Sequence, residues 1–200
     1  MRKRIGICCI LLGMMCLLAS AGLVVYNRFE ARNGEVYSQE LLQDIREQME
    51  IGEAETTTLD DPVSTLSREM LTVPAGKYES IGILSIPVLE VELPVLVDWS
   101  YEKLQKAPCH YYGSCYESDF VIAGHNYPSH FGKLSELLPG DLIFFADGAG
   151  EVHCYEVILL ETLAPTATEE MITSGFDLSL YTCTPGGSNR VTVRCRRVNG

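Results

Sequence analysis

The sequence is short of basic residues. It contains 15 lysines and arginines against 27 aspartates and glutamates, and Arg2, Lys3 and Arg4 precede the first acidic residue. The part after Tyr26 therefore carries 12 basic and 27 acidic residues, a net charge of −15. Such a charge disfavours nucleic acid as a partner, because phosphate backbones are bound by clustered lysine and arginine. A cationic, amine-bearing partner is compatible with it.

The sequence also lacks internal repeats, long low-complexity tracts and any Cys-x-x-Cys pair. Without such a pair, a zinc site built from Cys109, His110, Cys115 and His130 is conceivable but disfavoured. We therefore expect no metal.

One long apolar run is present, from Ile5 to Tyr26, directly after the basic cluster. At about 1.5 Å per residue, the run spans the ~30 Å hydrocarbon core of a membrane. The basic cluster predicts that the N-terminus is cytoplasmic and that the rest of the chain is outside. The alternative is a cleaved signal peptide, because Ala19-Ser20-Ala21 has the small-x-small form of a cleavage site. Both interpretations export the remainder of the chain, and residues 1–26 are assigned to this segment.

Residues 27–77 are predicted to form a stalk and linker. Tyr37, Leu41, Ile45 and Met49 recur every four residues among charged ones, which predicts an amphipathic helix over about residues 35–50. The stretch 52–62 is polar and rich in turn-forming residues, which predicts a linker.

From about residue 78 the sequence consists of short apolar runs separated by proline, glycine and polar residues. The runs predict strands over 81–87, 91–97, 120–123, 141–145, 152–160, 178–182 and 191–198, and a short helix over 131–138. So many short strands with little helix predict a mostly β domain over 78–200, a closed or nearly closed β-barrel. Periodicity alone leaves a β-sandwich open.

The eight cysteines fall into two groups. Cys8, Cys9 and Cys16 lie in the apolar run, where cysteine acts as a small hydrophobe. The exported cysteines are Cys109, Cys115, Cys154, Cys183 and Cys195; because five is odd, at least one is free or pairs between chains. Disulfides Cys109–Cys115 and Cys154–Cys195 are both possible, although strand alternation favours packing of Cys195 in the core.

Strand alternation separates Cys183 from the other cysteines. Leu178, Leu180 and Thr182 share one face of their strand, which leaves Cys183 at the strand end on the opposite face. In the next predicted strand, Arg190 lies opposite the apolar positions. If the two strands pair through the turn 184–189, the thiol and the guanidinium lie together on one exposed face. A cation beside a thiol stabilises the thiolate and can donate to an oxyanion.

Two points stay open at this stage. Arg194 and Arg196 share the face of Arg190, so alternation alone does not single out one arginine. A cysteine nucleophile also needs a proton-transfer partner. His125 directly follows the predicted strand 120–123, where strand ends commonly present functional groups, and this makes it a candidate.

Five segments, in order and spacing, resemble the sortase family over roughly residues 78–198. Ser179-Leu-Tyr-Thr-Cys183 resembles the signature Thr-Leu-x-Thr-Cys, and Val121-Ile-Ala-Gly-His125 resembles the apolar-Gly-His segment. Asn189-Arg-Val-Thr-Val is similar to the segment that carries the family's active-site arginine. Residues 131–141 and 164–166 resemble the helix-plus-Gly-Asp segment and the start of the loop before the cysteine strand.

The resemblance implies a closed eight-stranded sortase-type β-barrel with short helices and a cysteine transpeptidase of the Gram-positive cell membrane. Cys183 is then the nucleophile, His125 the acid/base and Arg190 the oxyanion-side cation, with Thr182 and Ala123 in substrate binding. The implied partners are surface proteins with a C-terminal Leu-Pro-x-Thr-Gly-like sorting motif and an amine from a cell-wall precursor or pilin. No cofactor is implied, and the calcium-binding acidic set of some class A members cannot be placed.

Two other functions remain open: a cysteine hydrolase that cleaves the sorting motif, and a catalytically inactive surface-binding barrel. The interval from His125 to Cys183 is too short for the helical insertion of class B sortases. No second apolar segment follows the last strand, which argues against class C, and Asp61-Pro62-Val63 lacks the aromatic residue of the class C lid. We therefore expect a class A-, D- or E-like sortase.

Overall fold

The computed structural model of the protein describes residues 2–55 and 68–198. The helices are α1 (Arg2–Glu55), α2 (Tyr101–Leu104) and α3 (Thr168–Ile172), with one-turn 3-10 helices at Pro87–Leu89 and Leu134–Glu136. The strands are β1 (Val73–Ala75), β2 (Tyr78–Ile86), β3 (Val91–Leu96), β4 (Cys109–Tyr112), β5 (Phe120–Ala123), β6 (Leu142–Asp147), β7 (Val152–Leu163), β8 (Leu178–Cys183) and β9 (Arg190–Arg197).

Eight of these strands form a closed barrel, in the order β2-β3-β4-β5-β8-β9-β7-β6, and β6 pairs back onto β2. β1 adds a short hairpin outside the barrel. At Gly82 β2 pairs with both β3 and β6, and a Cβ there would lie 2.1 Å from the Ala146 carbonyl oxygen. Only glycine permits that approach. The prediction of a closed eight-stranded barrel is confirmed.

Alternation along β8 and β9 fills the barrel interior. Leu178, Leu180, Val193 and Cys195 are fully buried there, as the sequence pattern predicts, and burial raises the pKa of the Cys195 thiol to about 12. The fold thus uses this cysteine as an apolar core residue.

The two disulfides that the spacing allows do not form, because all four cysteines are free thiols. Cys109 packs in the cluster beneath α1, whereas Cys115 packs in the barrel core. Cys154 alternates with the buried His153 and Tyr155 of β7 and so lies on the outer face, away from Cys195 in the core.

α1 is one continuous helix from Arg2 to Glu55. Residues 35–50 are helical as predicted, but they do not form a separate helix. Residues 52–55, predicted as linker, still belong to the helix, while 56–67, including Asp61-Pro62-Val63, lie outside the described residues. Leu41, Leu42 and Ile45 pack beneath the barrel wall on Ile83 and Leu96. The stalk is therefore docked on the barrel, and Arg46 adds an exposed ion pair to Glu92 at 2.5 Å.

Two short segments differ from the sequence predictions. The predicted helix over 131–138 is reduced to the single turn Leu134–Glu136, because the amides of Leu134, Glu136 and Leu137 bond to carbonyls three residues back instead of four. Strands β1 and β4 were not predicted. The membrane-length part of α1, with exposed apolar side chains from Ile10 to Tyr26, is a candidate membrane anchor or signal.

Candidate active site

Three strand ends bring together the side chains that the sequence singled out. β8 lies between β5, its parallel neighbour, and β9, its antiparallel neighbour. Cys183 is paired directly with Arg190. Ala123 is paired with Tyr181, and the Gly124 amide donates to the Tyr181 carbonyl at 3.0 Å. The register of β5 with β8 ends at Ala123, and His125 follows two residues later in the connection after β5.

Cys183 is exposed and opens onto a cavity of about 220 Å³. Its floor is formed by Ala123, Gly124 and Tyr181. Its walls are formed by Trp99, Tyr101, Leu104, Tyr111, Ala164, Pro165, Ala167, Thr168 and Met171. Among these lining residues Arg190 alone carries a charge, so the cavity suits an uncharged, partly apolar ligand beside a single cation.

The aromatic wall was not anticipated from the sequence. Trp99 contacts Tyr101 and Tyr111 at ring-centroid distances of 5.8 and 6.0 Å, and Tyr111 meets Tyr181 edge-to-face at 5.4 Å. Trp99 is the one tryptophan of the sequence and is 44% exposed. A lone exposed tryptophan is a weak signal of a binding surface, and only the fold brings the tyrosines to it.

The structure separates Arg190 from the arginines that shared its predicted face. The Arg190 guanidinium donates to the carbonyls of Gly187 and Asn189 at 3.2 and 3.1 Å, which holds it at the turn next to Cys183. Arg194 is 2% exposed and pairs with Glu161 at 2.7 Å. Arg194 is therefore a structural residue at the opposite end of the face.

The face that carries Cys183 is only partly exposed, contrary to the simple alternation argument. Ser179 is fully buried on it because the connection that contains α3 covers that end. Arg194 fastens this connection by donating to the Glu170 and Met171 carbonyls at 2.8 and 3.3 Å. The connection that contains α3 does not extend over Cys183, so the uncovered part of this face lines the cavity.

Burial lowers the pKa of His125 below its ordinary value, because the charged imidazolium loses solvation. The Asn126 side chain and the Glu30 carboxylate act in the opposite direction. The ring stacks on Tyr127 with centroids 3.9 Å apart, and its buried Nδ1 atom has no hydrogen-bond partner among residues 2–55 and 68–198. Burial therefore disfavours the charged form of His125, which is not among the residues that line the cavity.

Ala123 and Thr182, the two residues assigned to substrate binding, lie in different surroundings. Ala123 lines the cavity. The Thr182 side chain is 3% exposed and directed into the barrel, and its Oγ1 atom has no hydrogen-bond partner in the part of the chain that the structure describes. A direct contact of this side chain with a ligand in the cavity would require rearrangement.

A second Cys/His/Asp group is formed by Cys115, Asp147 and His153, all buried. Burial raises the pKa of Cys115 to about 12, which suppresses the thiolate. Burial alone would raise the pKa of Asp147, but it is lowered because Tyr116, His153 and two backbone amides donate to its carboxylate. Since Asp147 is satisfied by protein donors and Cys115 is not accessible, this group is a structural network.

An exposed thiol paired with a guanidinium at a strand end, with a histidine following the neighbouring strand, suits a cysteine acyl-transfer enzyme. Residues 84–198 match the sortase domain family. Comparison with curated proteins returned no match. The chain belongs to the sortase family, whose members are cysteine transpeptidases that act on proteins with sorting motifs.

Solved sortase structures support this assignment. Sortase C1 from Streptococcus suis is 32% identical, with 60% of this chain and 74% of that chain covered and a TM-score of 0.54. Sortase C-3 from Streptococcus pneumoniae is 24% identical, with coverages of 84% and 90% and a TM-score of 0.55. Sortase A from Corynebacterium diphtheriae, a lid mutant, is 22% identical, with coverages of 78% and 94% and a TM-score of 0.54.

The predicted subclass is not confirmed. Most of the similar structures are named class C sortases, including those from Streptococcus suis, Streptococcus pneumoniae and Group B Streptococcus. The similarity leans toward class C, although the sequence arguments favoured class A, D or E.

Proposed function

We propose that this sortase cleaves a sorting-motif peptide through a thioester at Cys183 and transfers the acyl part to an amine. The observation that carries the proposal is the position of Cys183. It is exposed at the end of β8, in register with Arg190 of β9, and it opens onto the cavity. His125 follows β5, the strand on the other side of β8.

In the first step, the His125 imidazole accepts the proton of the Cys183 thiol, and the resulting thiolate attacks the carbonyl carbon of the scissile peptide bond. The Arg190 guanidinium stabilises the negative charge on the carbonyl oxygen of the tetrahedral intermediate. The intermediate collapses to the thioester when the C–N bond breaks, and the His125 imidazolium donates its proton to the leaving amine.

In the second step, an amine acceptor attacks the thioester carbonyl while neutral His125 accepts a proton from its nitrogen. Collapse of the second tetrahedral intermediate forms the new amide and returns the Cys183 thiolate. The reaction needs no redox change and no cofactor. Water in place of the amine gives hydrolysis, the alternative function.

The cavity supports a peptide of the Leu-Pro-x-Thr-Gly kind. Its lining is aromatic and small apolar, which suits the leucine and proline side chains, and Arg190 is its one charged lining residue. Ala123 forms part of the floor, where the peptide backbone would pass. An acidic or basic segment would gain little from the other lining residues.

We place the enzyme at the cell membrane as a single-pass protein with the barrel outside. The support is the exposed apolar surface of α1 over Ile10 to Tyr26 and the basic cluster Arg2-Lys3-Arg4 before it. The acceptor is an amine of a cell-wall precursor or of a pilin, the former expected for a class A-, D- or E-like enzyme and the latter for class C.

The test is turnover of sorting-motif peptides by the full chain in detergent, with glycine-type and lysine-type amines as acceptors, followed by mass spectrometry. Amide products that require added amine support transpeptidation, and products formed in its absence show hydrolysis. The amine that is used distinguishes the two acceptor classes. Cys183→Ala is expected to abolish turnover, and Cys154→Ala, which alters a half-buried cysteine away from the cavity, is the matched control.

A further inference from the structure

The close packing of α1 on the loop after β5 has a consequence for His125. The ring of Tyr127 stacks on the His125 imidazole with centroids 3.9 Å apart and planes 16° apart. Tyr127 is only 9% exposed, so other protein atoms cover the rest of its side chain. A stacked and buried ring restricts the rotation of its neighbour, because the imidazole cannot turn without losing that contact or clashing.

The element that packs against Tyr127 is α1. A Cβ at Gly34 would lie 3.1 Å from two ring carbons of Tyr127 and 2.8 Å from the Gln105 carbonyl oxygen. The helix backbone therefore touches the tyrosine directly. Glycine in a helix interior costs about 1 kcal/mol relative to alanine. At Gly6, Gly13 and Gly22 of the same helix a Cβ would have no atom within 4 Å, so of these four described glycines Gly34 is the one in a packed environment.

The loop itself offers Tyr127 little freedom. The Tyr127 carbonyl accepts from the amides of His130 and Gly132, both at 2.9 Å, and the Phe131 amide donates to the His125 carbonyl at 3.1 Å. These backbone hydrogen bonds tie Tyr127 and His125 to the same short loop, which restricts the movement of one relative to the other.

We infer that Tyr127 is a positioning residue for His125 and that α1, seated at Gly34, fixes its place. The helix that leads to the membrane segment is then part of the machinery that orients the proton-transfer group. The inference rests on the proposed role of His125, and Tyr127 is not among the residues that line the cavity. Its loss should therefore change kcat and leave KM unchanged.

The ionisable groups around the imidazole come from several elements. Glu30 of α1 and His130 of the loop interact with it electrostatically, and the titratable ring of Tyr127 is stacked on it. Burial by Tyr127 and α1 opposes protonation of the ring. Removing the tyrosine ring should therefore move the measured pKa of His125 upward, toward the ordinary value of about 6.5.

The experiment compares Tyr127→Ala, Tyr127→Phe and Gly34→Ala in the full chain in detergent. Tyr127→Ala is expected to lower kcat by about 10- to 100-fold, a part of what general acid–base catalysis contributes. Tyr127→Phe keeps the stacked ring and should retain most of kcat. Gly34→Ala should lower kcat because the new methyl group displaces the ring, whereas Gly22→Ala, in open space on the same helix, should not.

Titration of the histidine ring signals by NMR separates this inference from the proposed function. The His125 signal is assigned with His125→Gln, and the fold of each variant is checked by circular dichroism. Full activity of His125→Gln would refute the catalytic role of the histidine. Loss of activity in His125→Gln, together with unchanged kcat and unchanged His125 titration in Tyr127→Ala, would overturn only the positioning role.

Discussion

Replacing Arg194 with methionine is expected to destabilise the barrel without removing a group from the reaction. Methionine preserves most of the side-chain length but none of the five donors of the guanidinium. In the folded protein Arg194 is 2% exposed and donates to Glu161, Ser179, Glu170 and Met171. The substitution leaves each of these acceptors without its partner.

The magnitude follows from the burial of the pair. Removing one member of a buried ion pair costs about 3–5 kcal/mol. The Glu161 side chain is 32% exposed and can be partly solvated, which favours the lower end of that range. We therefore expect the free energy of unfolding to fall by about 3 kcal/mol, equivalent to a decrease in Tm of roughly 10 °C for a domain of this size.

The assay pairs urea or thermal unfolding, followed by circular dichroism, with turnover of a sorting-motif peptide. Arg190→Ala is the matched variant, because the hydrogen bonds that the structure shows for the Arg190 guanidinium go to the carbonyls of Gly187 and Asn189 in its own turn. It should change stability by less than about 1 kcal/mol and lower kcat by about 10²- to 10³-fold. A stable but inactive Arg194→Met beside a fully active Arg190→Ala would reverse the roles and refute the reasoning.

Three further predictions follow from the same structure. Iodoacetamide at neutral pH should alkylate Cys183 well before Cys109 or Cys115, since burial raises the pKa of both latter thiols to about 12; faster labelling of Cys115, mapped by mass spectrometry, would contradict this. Sorting-motif peptide should change the fluorescence of Trp99 in a Cys183→Ala background, and an unchanged spectrum at saturation would exclude the aromatic wall from binding. Asp147→Asn should cost about 1–3 kcal/mol of stability, and because the folded pKa of Asp147 is lowered, the difference from the parent should shrink below about pH 4 and not grow.

The barrel was largely predictable because its strands alternate clearly. Leu178 and Leu180 fill the core, and the same alternation directs Cys183 away from it. β4 escaped prediction because its sequence, Cys-His-Tyr-Tyr, shows no alternation of apolar and charged residues. The helix over 131–138 was overpredicted because its apolar spacing also suits a compact turn that packs Leu134 and Leu137 in the core.

The candidate site was predictable in its residues and less so in its surroundings. The pairing of Cys183 with Arg190 follows from alternation and a six-residue turn, but the burial of Arg194 depends on α3, whose position over the sheet no local pattern encodes. The stacking of Tyr127 on His125 depends likewise on a helix some 90 residues earlier in the chain. Contacts between distant segments are set by the whole fold.

The central claim is that acyl transfer passes through Cys183. The most direct measurement is mass spectrometry of the full chain after rapid acid quenching with a sorting-motif peptide in the absence of amine. We expect a hydroxylamine-sensitive adduct of the N-terminal peptide fragment that maps to Cys183 and disappears in Cys183→Ala. An adduct on Cys115, or peptide cleavage that persists in Cys183→Ala, would contradict it.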